Sequence, residues 1–231
     1  AEFDPAHKVI EYRFHKTGKL AAMNLVEFAD ELASDSPAPG GGSVAALCGA
    51  MSAGLSAMVG NLTFGKKGYE GVRGEMEALA VEAQTLKDFF VEAIDRDTEA
   101  FNRVMDAFAL PKKTPEEIAA RNHAVQEATK GAALIPFGVL EKSLRTVELA
   151  ALACRKGNRN SLSDAGVAGL TAGVCAQGAL YNVLINIKDL EDREFAGDLA
   201  ARAQEIDGRV RTHCAEISAL MTRELLPRAQ A

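Results

Sequence analysis

Residues 39–66 read PGGGSVAALCGAMSAGLSAMVGNLTFGK, in which three consecutive glycines open a stretch of more than twenty uncharged residues. Ser43 is a good N-cap residue for a helix that begins here. The preceding glycines, Gly40, Gly41 and Gly42, can adopt positive φ and bring backbone N–H groups close to a ligand at the positive end of the helix dipole. The pattern predicts either a site for an anionic or carbonyl-bearing ligand or a flexible turn before a tightly packed helix.

The same stretch has the periodicity of an amphipathic helix. Its large apolar side chains recur every three or four residues, and Ala, Ser and Gly fill the remaining faces. These large residues are Leu47, Met51, Leu55, Met58, Val59 and Leu62. A membrane-spanning helix usually carries a more continuous apolar run. We therefore expect no membrane partner and no signal peptide.

Composition and charge narrow the class of protein. A length of 231 residues with 48% hydrophobic residues suits one globular domain with a full core. The net charge of −6 lacks the basic footprint of a nucleic-acid-binding protein, so no nucleic-acid partner is expected. Cys48, Cys154, Cys175 and Cys214 are widely spaced and form no C-x-x-C pair. They are predicted to be buried thiols in a reducing, cytoplasmic setting, without a bound metal.

Helical patterns cover most of the remaining chain, at about residues 24–33, 72–108, 114–156, 163–190 and 192–226. Thr114 followed by Pro115 and two glutamates is a strong helix start signal. Pro136 should kink or split that helix, Gly157 should end it, and Ser163 can cap the next one. No alternating strand pattern extends beyond the first few residues. The chain is therefore predicted to be an all-α, mainly antiparallel helical bundle with short connections.

An aspartate occupies a core position in the apolar stripe of residues 72–108. The stripe advances in steps of three and four through Met76, Leu79, Ala83, Leu86, Phe90, Ala93, Asp97, Phe101, Val104 and Phe108. A buried ionised carboxylate must be hydrogen-bonded, ion-paired or raised in pKa. Asp97 is therefore either a structural carboxylate tied to a neighbouring helix or a general base. Asp95 lies off the stripe and is expected to be a solvated neighbour.

A second polar constellation follows one face of the helix that begins near Ser163. Its members recur every three or four residues, and they are Asp164, Ala168, Ala172, Cys175, Ala179, Asn182 and Asn186. Such a face of small residues either packs closely against the helix of residues 43–63, within one chain or across a dimer, or admits a flat ligand. Packing is the commoner use, but Asn182 and Asn186 need hydrogen-bond partners if they are buried.

Two groups of cationic residues complete the set of candidates. Lys66 and Lys67 follow the first uncharged helix, and Arg155, Lys156 and Arg159 surround the turn at residues 157–158. Each group could receive a carboxylate tail, although solvated helix ends carry Lys and Arg routinely. The four histidines show no metal-ligand spacing, so no metal is assigned.

Several blocks of the sequence together resemble one family, the cyclodeaminase domain of formiminotransferase-cyclodeaminase. They are PGGGSVAAL, MVGNLTFGKK, IDRDTEAF, LPKKTPEE, and GN..S.SDAGVA leading into YNVLIN, in this order. The resemblance covers essentially all of residues 20–226, which places a linker-like segment at 1–20 and the domain at 21–231. Within that segment, HKVIEY at residues 7–12 resembles the linker that joins the two halves of the bifunctional protein.

This resemblance implies a dimerising helical bundle that closes 5-formiminotetrahydrofolate to 5,10-methenyltetrahydrofolate with release of ammonia, in histidine degradation and one-carbon metabolism. No cofactor other than the folate substrate is implied. The family's proton acceptor falls on Asp97. Asp164 belongs to the catalytic set and, together with Asn158, would orient the polar edges of the ligand. Asn182 and Asn186 would lie with Gly40, Gly41, Gly42 and Ser43 around the pteridine. Lys66 and Lys67 would face the glutamate tail, which is polyglutamylated in some folates.

The sequence is also compatible with two other functions. Stand-alone relatives resemble methenyltetrahydrofolate cyclohydrolases, in which water replaces the amine at the same carbon. A catalytically silent helical dimer that binds folate or serves as a scaffold is the alternative from outside the enzymes. The linker-like segment favours the cyclodeaminase and also suggests a formiminotransferase domain or protein as a partner.

Overall fold

The computed structural model describes residues 20–226, which contain six α-helices, two short 3-10 helices and no strand. The α-helices are α1 (Leu25–Leu32), α2 (Gly41–Phe64), α3 (Arg73–Ala109), α4 (Pro115–Lys156), α5 (Leu162–Ile187) and α6 (Arg193–Leu225). The 3-10 helices, Glu70–Val72 and Arg159–Ser161, lie directly before α3 and α5. The all-α prediction is confirmed. The linker-like assignment and the extended start fall, apart from Leu20, outside the described residues.

Local signals in the sequence set most of the helix ends. Thr114 caps α4 in a capping box with Glu117, as the start signal predicts, and α4 ends at Gly157. The Asp192 side chain likewise caps α6 through the Phe195 N–H. Pro136 lies inside α4, which continues across it, so of the two predicted effects of this proline, a kink or a split, the split is wrong.

Two predicted N-caps are also wrong. The helix of the glycine-rich stretch begins at Gly41 with Gly40 as N-cap, so Ser43 lies in the first turn. Similarly, α5 begins at Leu162 after a 3-10 turn, so Ser163 lies inside it. In both cases an earlier residue, Gly40 or Ser161, takes the N-cap position.

The small-residue faces of α2 and α5 pack against each other and against α3 and α4 inside one chain. Ala168, Ala172 and Ala179 are fully buried. On α2, Gly49 is needed for close approach because a Cβ there would collide with the ring of Phe90 in α3. The packing interpretation of the small-residue face is thus confirmed within the chain for its alanines, and this face is not available for contact with a second copy.

The large apolar residues of α2 mostly face outward. Met51, Met58 and Leu62 are exposed, whereas the small residues and Val59 are buried. The helices α2 and α5 are long and apolar enough to cross a membrane by length and composition, although 61% and 44% of the respective apolar windows are buried in the bundle. This is weak evidence for membrane insertion, because core helices pass the same test.

The four cysteines are free thiols. Cys154 and Cys175 are buried as predicted, whereas Cys48 and Cys214 are only half-buried. Burial raises the pKa of the Cys154 thiol to about 11. Among the described residues no group of three or more His, Cys, Asp or Glu could hold a metal ion.

Candidate active site

A cavity of about 330 Å³ opens where the N-terminus of α2, the C-terminal half of α3 and the C-terminal end of α5 meet. We call it the Asp97 pocket, since Asp97 is the only ionisable side chain among the described residues that line it. One wall is apolar and comes mainly from α3, with Phe101, Val104 and Phe108. The other wall is polar and combines the glycine turn with Asn182 and Asn186. A cavity of this size and composition is typical of a small-molecule site.

Asp97 lies against the first turn of α2. The Ser43 hydroxyl is 3.3 Å from Asp97 Oδ2 and also donates to the Ile94 carbonyl oxygen at 3.0 Å. The positive end of the α2 dipole therefore faces the carboxylate of the chain itself, at the position where sequence analysis expects a ligand.

The environment of Asp97 opposes its ionisation only in part. Burial raises the pKa of the Asp97 carboxyl, while the hydroxyl and the backbone N–H of Ser43 act to lower it. The net direction is upward. A partly buried carboxylate with a raised pKa, open to a cavity on one side, has the properties that a general base needs.

The three glycines of the turn differ in how closely other side chains approach them. A Cβ at Gly42 would overlap the Asp97 carboxyl group, whereas a Cβ at Gly41 would come within 3.3 Å of Asn182 Nδ2, and one at Gly40 would meet nothing within 4 Å. Among the described glycines only Gly68 has positive φ, so the expectation of positive φ at residues 40–42 is wrong. Gly42 is required because Asp97 occupies the space of its side chain.

Asn182 and Asn186 are half-buried and anchored by their amide nitrogens. Asn182 Nδ2 donates to the Gly178 carbonyl oxygen at 2.8 Å, and Asn186 Nδ2 donates to the Asn182 carbonyl oxygen at 2.8 Å. No described residue donates to either side-chain oxygen. The polar wall of the pocket therefore offers two hydrogen-bond acceptors to a ligand with N–H groups.

The structure does not bring every predicted site residue to this pocket. Lys66 and Lys67 follow the opposite end of α2, which spans about 35 Å at 1.5 Å per residue. Asp164 lies on α5 about 27 Å along the helix axis from Asn182. Asn158 is buried near Thr63, whose Oγ1 accepts its N–H at 2.8 Å, and its side chain caps the following turn. These four residues form a far-end group, and their roles stay predictions.

Two features of the site are not anticipated by sequence analysis. Thr98 Oγ1 is buried at the pocket without a hydrogen-bond partner among the described residues. Asp95 is half-buried and accepts the backbone N–H groups of Leu20 and Ala21 at 2.9 and 3.4 Å. The expectation that Asp95 is solvated is therefore wrong, since it anchors the start of the described chain.

Comparisons with known proteins agree on one family. Residues 24–205 match the family model described as formiminotransferase-cyclodeaminase. A methenyltetrahydrofolate cyclohydrolase of Methylorubrum extorquens is 42% identical over 190 residues, which are 82% of this chain and 90% of that protein. The formimidoyltransferase-cyclodeaminase of Rattus norvegicus is 33% identical over 93% of this chain, but this chain spans only 40% of the rat protein.

A solved structure leads to the same result. The formiminotetrahydrofolate cyclodeaminase of Thermotoga maritima superposes with a TM-score of 0.80 at 29% identity, over 90% of this chain and all of that one. The family model, the relatives and the fold therefore coincide over the helices that build the Asp97 pocket. The chain belongs to the formiminotransferase-cyclodeaminase family, and these relatives are named as cyclodeaminases and a methenyltetrahydrofolate cyclohydrolase.

Proposed function

We propose that the Asp97 pocket binds 5-formiminotetrahydrofolate and that the chain is a formimidoyltetrahydrofolate cyclodeaminase, with Asp97 as the general base. The observation that carries this proposal is the position of Asp97: its carboxylate faces a mostly apolar cavity, beside the N-terminus of α2. No cofactor beyond the folate is required, because the reaction consists of proton transfers and a C–N exchange.

The chemistry needs one group that accepts and then returns a proton. N10 of the substrate attacks the protonated formimino carbon bound to N5, and Asp97 takes the proton that N10 loses as the N10–C bond forms. The resulting aminal carries an NH₂ group on that carbon. Asp97 returns the proton to this nitrogen, the C–N bond breaks, and ammonia leaves the cationic methenyl product. Positioned proton transfer of this kind typically contributes about 10²- to 10⁴-fold to the rate.

The remaining walls suit the flat, polar-edged pteridine. The Asn182 and Asn186 side-chain oxygens accept from its N–H groups, and Phe101 and Phe108 supply apolar surface on the other wall. Holding the substrate between these walls keeps N10 near the formimino carbon, which adds to the rate by proximity. The site thus combines a base with an orienting cleft.

The extent of the family match favours the cyclodeaminase. The match to the rat formimidoyltransferase-cyclodeaminase extends over 93% of this chain, compared with 82% for the cyclohydrolase, and the Thermotoga maritima structure carries the cyclodeaminase name. The longer match includes part of the segment before the helical domain. That segment supports a formiminotransferase domain or protein as a partner of this chain.

A second candidate is methenyltetrahydrofolate cyclohydrolase, and the higher identity of 42% to the Methylorubrum extorquens protein favours it. In that reaction Asp97 takes one proton from the water that attacks the methenyl carbon and then gives it to N5 as the C–N5 bond breaks. The second proton of the water leaves the adduct hydroxyl to solvent as the formyl C=O forms, which yields 10-formyltetrahydrofolate. Both reactions use the same base against the same carbon.

Absorbance of the methenyl product separates these functions with purified protein. Its formation from 5-formiminotetrahydrofolate, together with measured ammonia release above the uncatalysed rate, supports the cyclodeaminase. Disappearance of methenyltetrahydrofolate without the first activity supports the cyclohydrolase. If neither rate exceeds the uncatalysed one and folate still binds, the proposal of catalysis is wrong and a binding or scaffold role replaces it.

A further inference from the structure

An arginine of α4 lies against the end of the Asp97 pocket that Phe108 forms. Phe108 is the last residue of α3 that lines the pocket. The guanidinium of Arg121 lies 5.3 Å from the centroid of the Phe108 ring, and Arg121 Nε donates to the Phe108 carbonyl oxygen at 3.0 Å. The ring and the carbonyl together hold a cation beside the cavity.

These contacts leave part of the Arg121 guanidinium free. Within residues 20–226, neither Nη1 nor Nη2 of Arg121 has a hydrogen-bond or ion-pair partner. Arg145, by contrast, is paired with both Glu82 and Glu148. A guanidinium fixed through Nε with two free nitrogens presents the planar fork that matches a carboxylate. Arg121 therefore has the geometry of a binding group for an anion.

A second arginine has the same local contacts at the opposite end of α2 from the pocket. The Arg73 guanidinium lies 5.3 Å from the centroid of the Phe64 ring, and its Nε donates to the Phe64 carbonyl oxygen at 3.2 Å. Phe64 and Phe108 each lie in the last turn of a helix, where backbone carbonyls lack partners within the helix. Capping therefore explains the Nε contact of both arginines. The difference is that Phe108 lines the Asp97 pocket and Phe64 does not.

The position of Arg121 matches the length of a folate beyond its reacting nitrogen. Asp97 and Phe108 are eleven residues apart on α3, which is about 16 Å along the helix axis. In the proposed function N10 lies at Asp97, and the p-aminobenzoyl and glutamate units extend the substrate beyond N10 by about 10 Å at standard bond lengths. Hydrogen bonds of about 3 Å at each end account for the remaining separation.

The pocket wall between Asp97 and Phe108 is apolar. Phe101, Val104 and Met105 line it on the intervening turns of α3. This surface suits the uncharged ring of the p-aminobenzoyl unit. The described lining contains no Lys or Arg, so the carboxylates of the tail find their cation only beyond this wall. Arg121 supplies a cation in direct contact with its last residue.

We propose that Arg121 binds a carboxylate of the substrate's glutamate tail at the Phe108 end of the Asp97 pocket, and so sets the preference for folates that carry this tail. The inference rests on the proposed function for the identity of the ligand. Both candidate reactions use a substrate with this tail, so it applies to either. It differs from the assignment of the tail to Lys66 and Lys67, which follow the opposite end of α2.

Ligands with and without the tail test this contact. Tetrahydrofolate and the carboxamide of tetrahydropteroic acid share the pteridine and the p-aminobenzoyl ring, but only tetrahydrofolate carries carboxylates. Arg121→Ala should weaken tetrahydrofolate binding about 10-fold, as expected for the loss of a hydrogen bond between charged groups. Binding of the carboxamide should stay near the wild-type value. Isothermal titration calorimetry measures both dissociation constants. Equal losses for the two ligands, or no loss for either, overturn the proposal.

Arg73→Ala is the matched control, because Arg73 has the same ring and carbonyl contacts at Phe64. Both variants lose a contact at a helix C-terminus, so thermal unfolding should show a similar small destabilisation. Only Arg121→Ala should lose the preference for tetrahydrofolate. A tail-specific loss in Arg73→Ala or in K66A/K67A that equals or exceeds the loss in Arg121→Ala places the tail elsewhere and overturns the proposal.

Binding and turnover together separate this inference from the proposed function. A preference for tetrahydrofolate that Arg121→Ala abolishes, in a protein without turnover, means that the assigned reaction is wrong and the tail site is right. Turnover of 5-formiminotetrahydrofolate with an unchanged KM in Arg121→Ala means the reverse. If both are right, the variant should raise KM with little change in kcat, and added salt should weaken tetrahydrofolate binding more in the wild type than in the variant.

Discussion

The two halves of α3 carry one continuous apolar stripe but put it to different uses. From Met76 to Ala93 the stripe is buried in the core, with Phe90 wholly inaccessible. Beyond Asp97, Phe101 and Phe108 are 39% and 47% exposed and line the Asp97 pocket. The sequence period does not change at Asp97, so the difference comes from the neighbouring helices.

The reason is that α2 covers only the first half of the stripe. Helix α2 begins at Gly41, so beyond the level of Asp97 no turn of α2 packs on α3. Asp97 lies at this boundary, with the first turn of α2 on one side and the cavity on the other. An aspartate at a core position of the stripe thus marks where α3 passes from the buried core to the wall of the Asp97 pocket.

The largest expected effect is on turnover at this boundary. Asp97→Asn should lower kcat by about 10²- to 10⁴-fold, because the amide cannot accept the proton from N10. Steady-state methenyltetrahydrofolate formation measures the loss. Asp95→Asn is the matched control two residues away, since among the described residues Asp95 forms hydrogen bonds only with the backbone of residues 20–21. Comparable losses in both variants would mean that Asp97 has no special chemical role.

Truncation of one phenylalanine in each half should separate stability from binding. Phe90→Ala should lower the free energy of unfolding by about 3–5 kcal/mol, because it empties the core beside Gly49. Phe101→Ala should cost about 1 kcal/mol or less and instead raise KM. Urea unfolding and steady-state kinetics measure the two effects. Equal destabilisation by both variants would show that the stripe does not change use at Asp97.

A methyl group added to the glycine turn should act through Asp97. Gly42→Ala should displace the carboxylate and lower kcat, while Gly40→Ala should leave kcat near the wild-type value, because its Cβ meets open space. Steady-state kinetics of the two variants measure kcat, and circular dichroism checks that both are folded. Retention of full activity in Gly42→Ala contradicts the described packing of Asp97 on α2.

The smallest expected effect is that of Ser43→Ala. Loss of the hydroxyl removes a hydrogen bond that contributes about 1 kcal/mol and one of the interactions that lower the pKa of Asp97. The acidic limb of the kcat/KM profile should therefore move to higher pH. A limb that stays in place would mean that Ser43 supports only the Ile94 carbonyl.

The sequence predicts most of the helices correctly because their ends and their buried faces are set by residues close together in the chain. The Thr114 capping box, Gly157 and the period of the apolar residues depend on neighbours within one or two turns. The position of Asp97 in the stripe likewise predicts a buried carboxylate. The start of α2 is different, because Gly40 takes the N-cap position and Ser43 instead reaches across to α3.

What the sequence does not predict is which residues meet across helices. The motif blocks place Asp97, Asn182, Lys66 and Asp164 in one site. The order of the blocks along the chain, however, does not give the distances between these residues in the fold. Only the antiparallel pairing of α2 with α5 shows that Asn182 lies by Asp97, and that Lys66 and Asp164 lie at the far end. The outward direction of Met51 likewise depends on which face α3 and α5 cover.

The most direct test is to titrate the Asp97 carboxyl by carbon-13 NMR and compare it with the pH dependence of kcat/KM. Because burial raises its pKa, Asp97 should titrate above the value of about 3.9 for an unperturbed Asp. The base must be ionised, so activity should fall as pH drops through that midpoint. The stability difference between Asp97→Asn and wild type should also favour the variant more as pH rises, since ionised Asp97 is disfavoured in the folded state. Coincident midpoints for titration and rate support Asp97 as the proton acceptor. An ordinary pKa, or a rate profile that ignores the Asp97 titration, contradicts it.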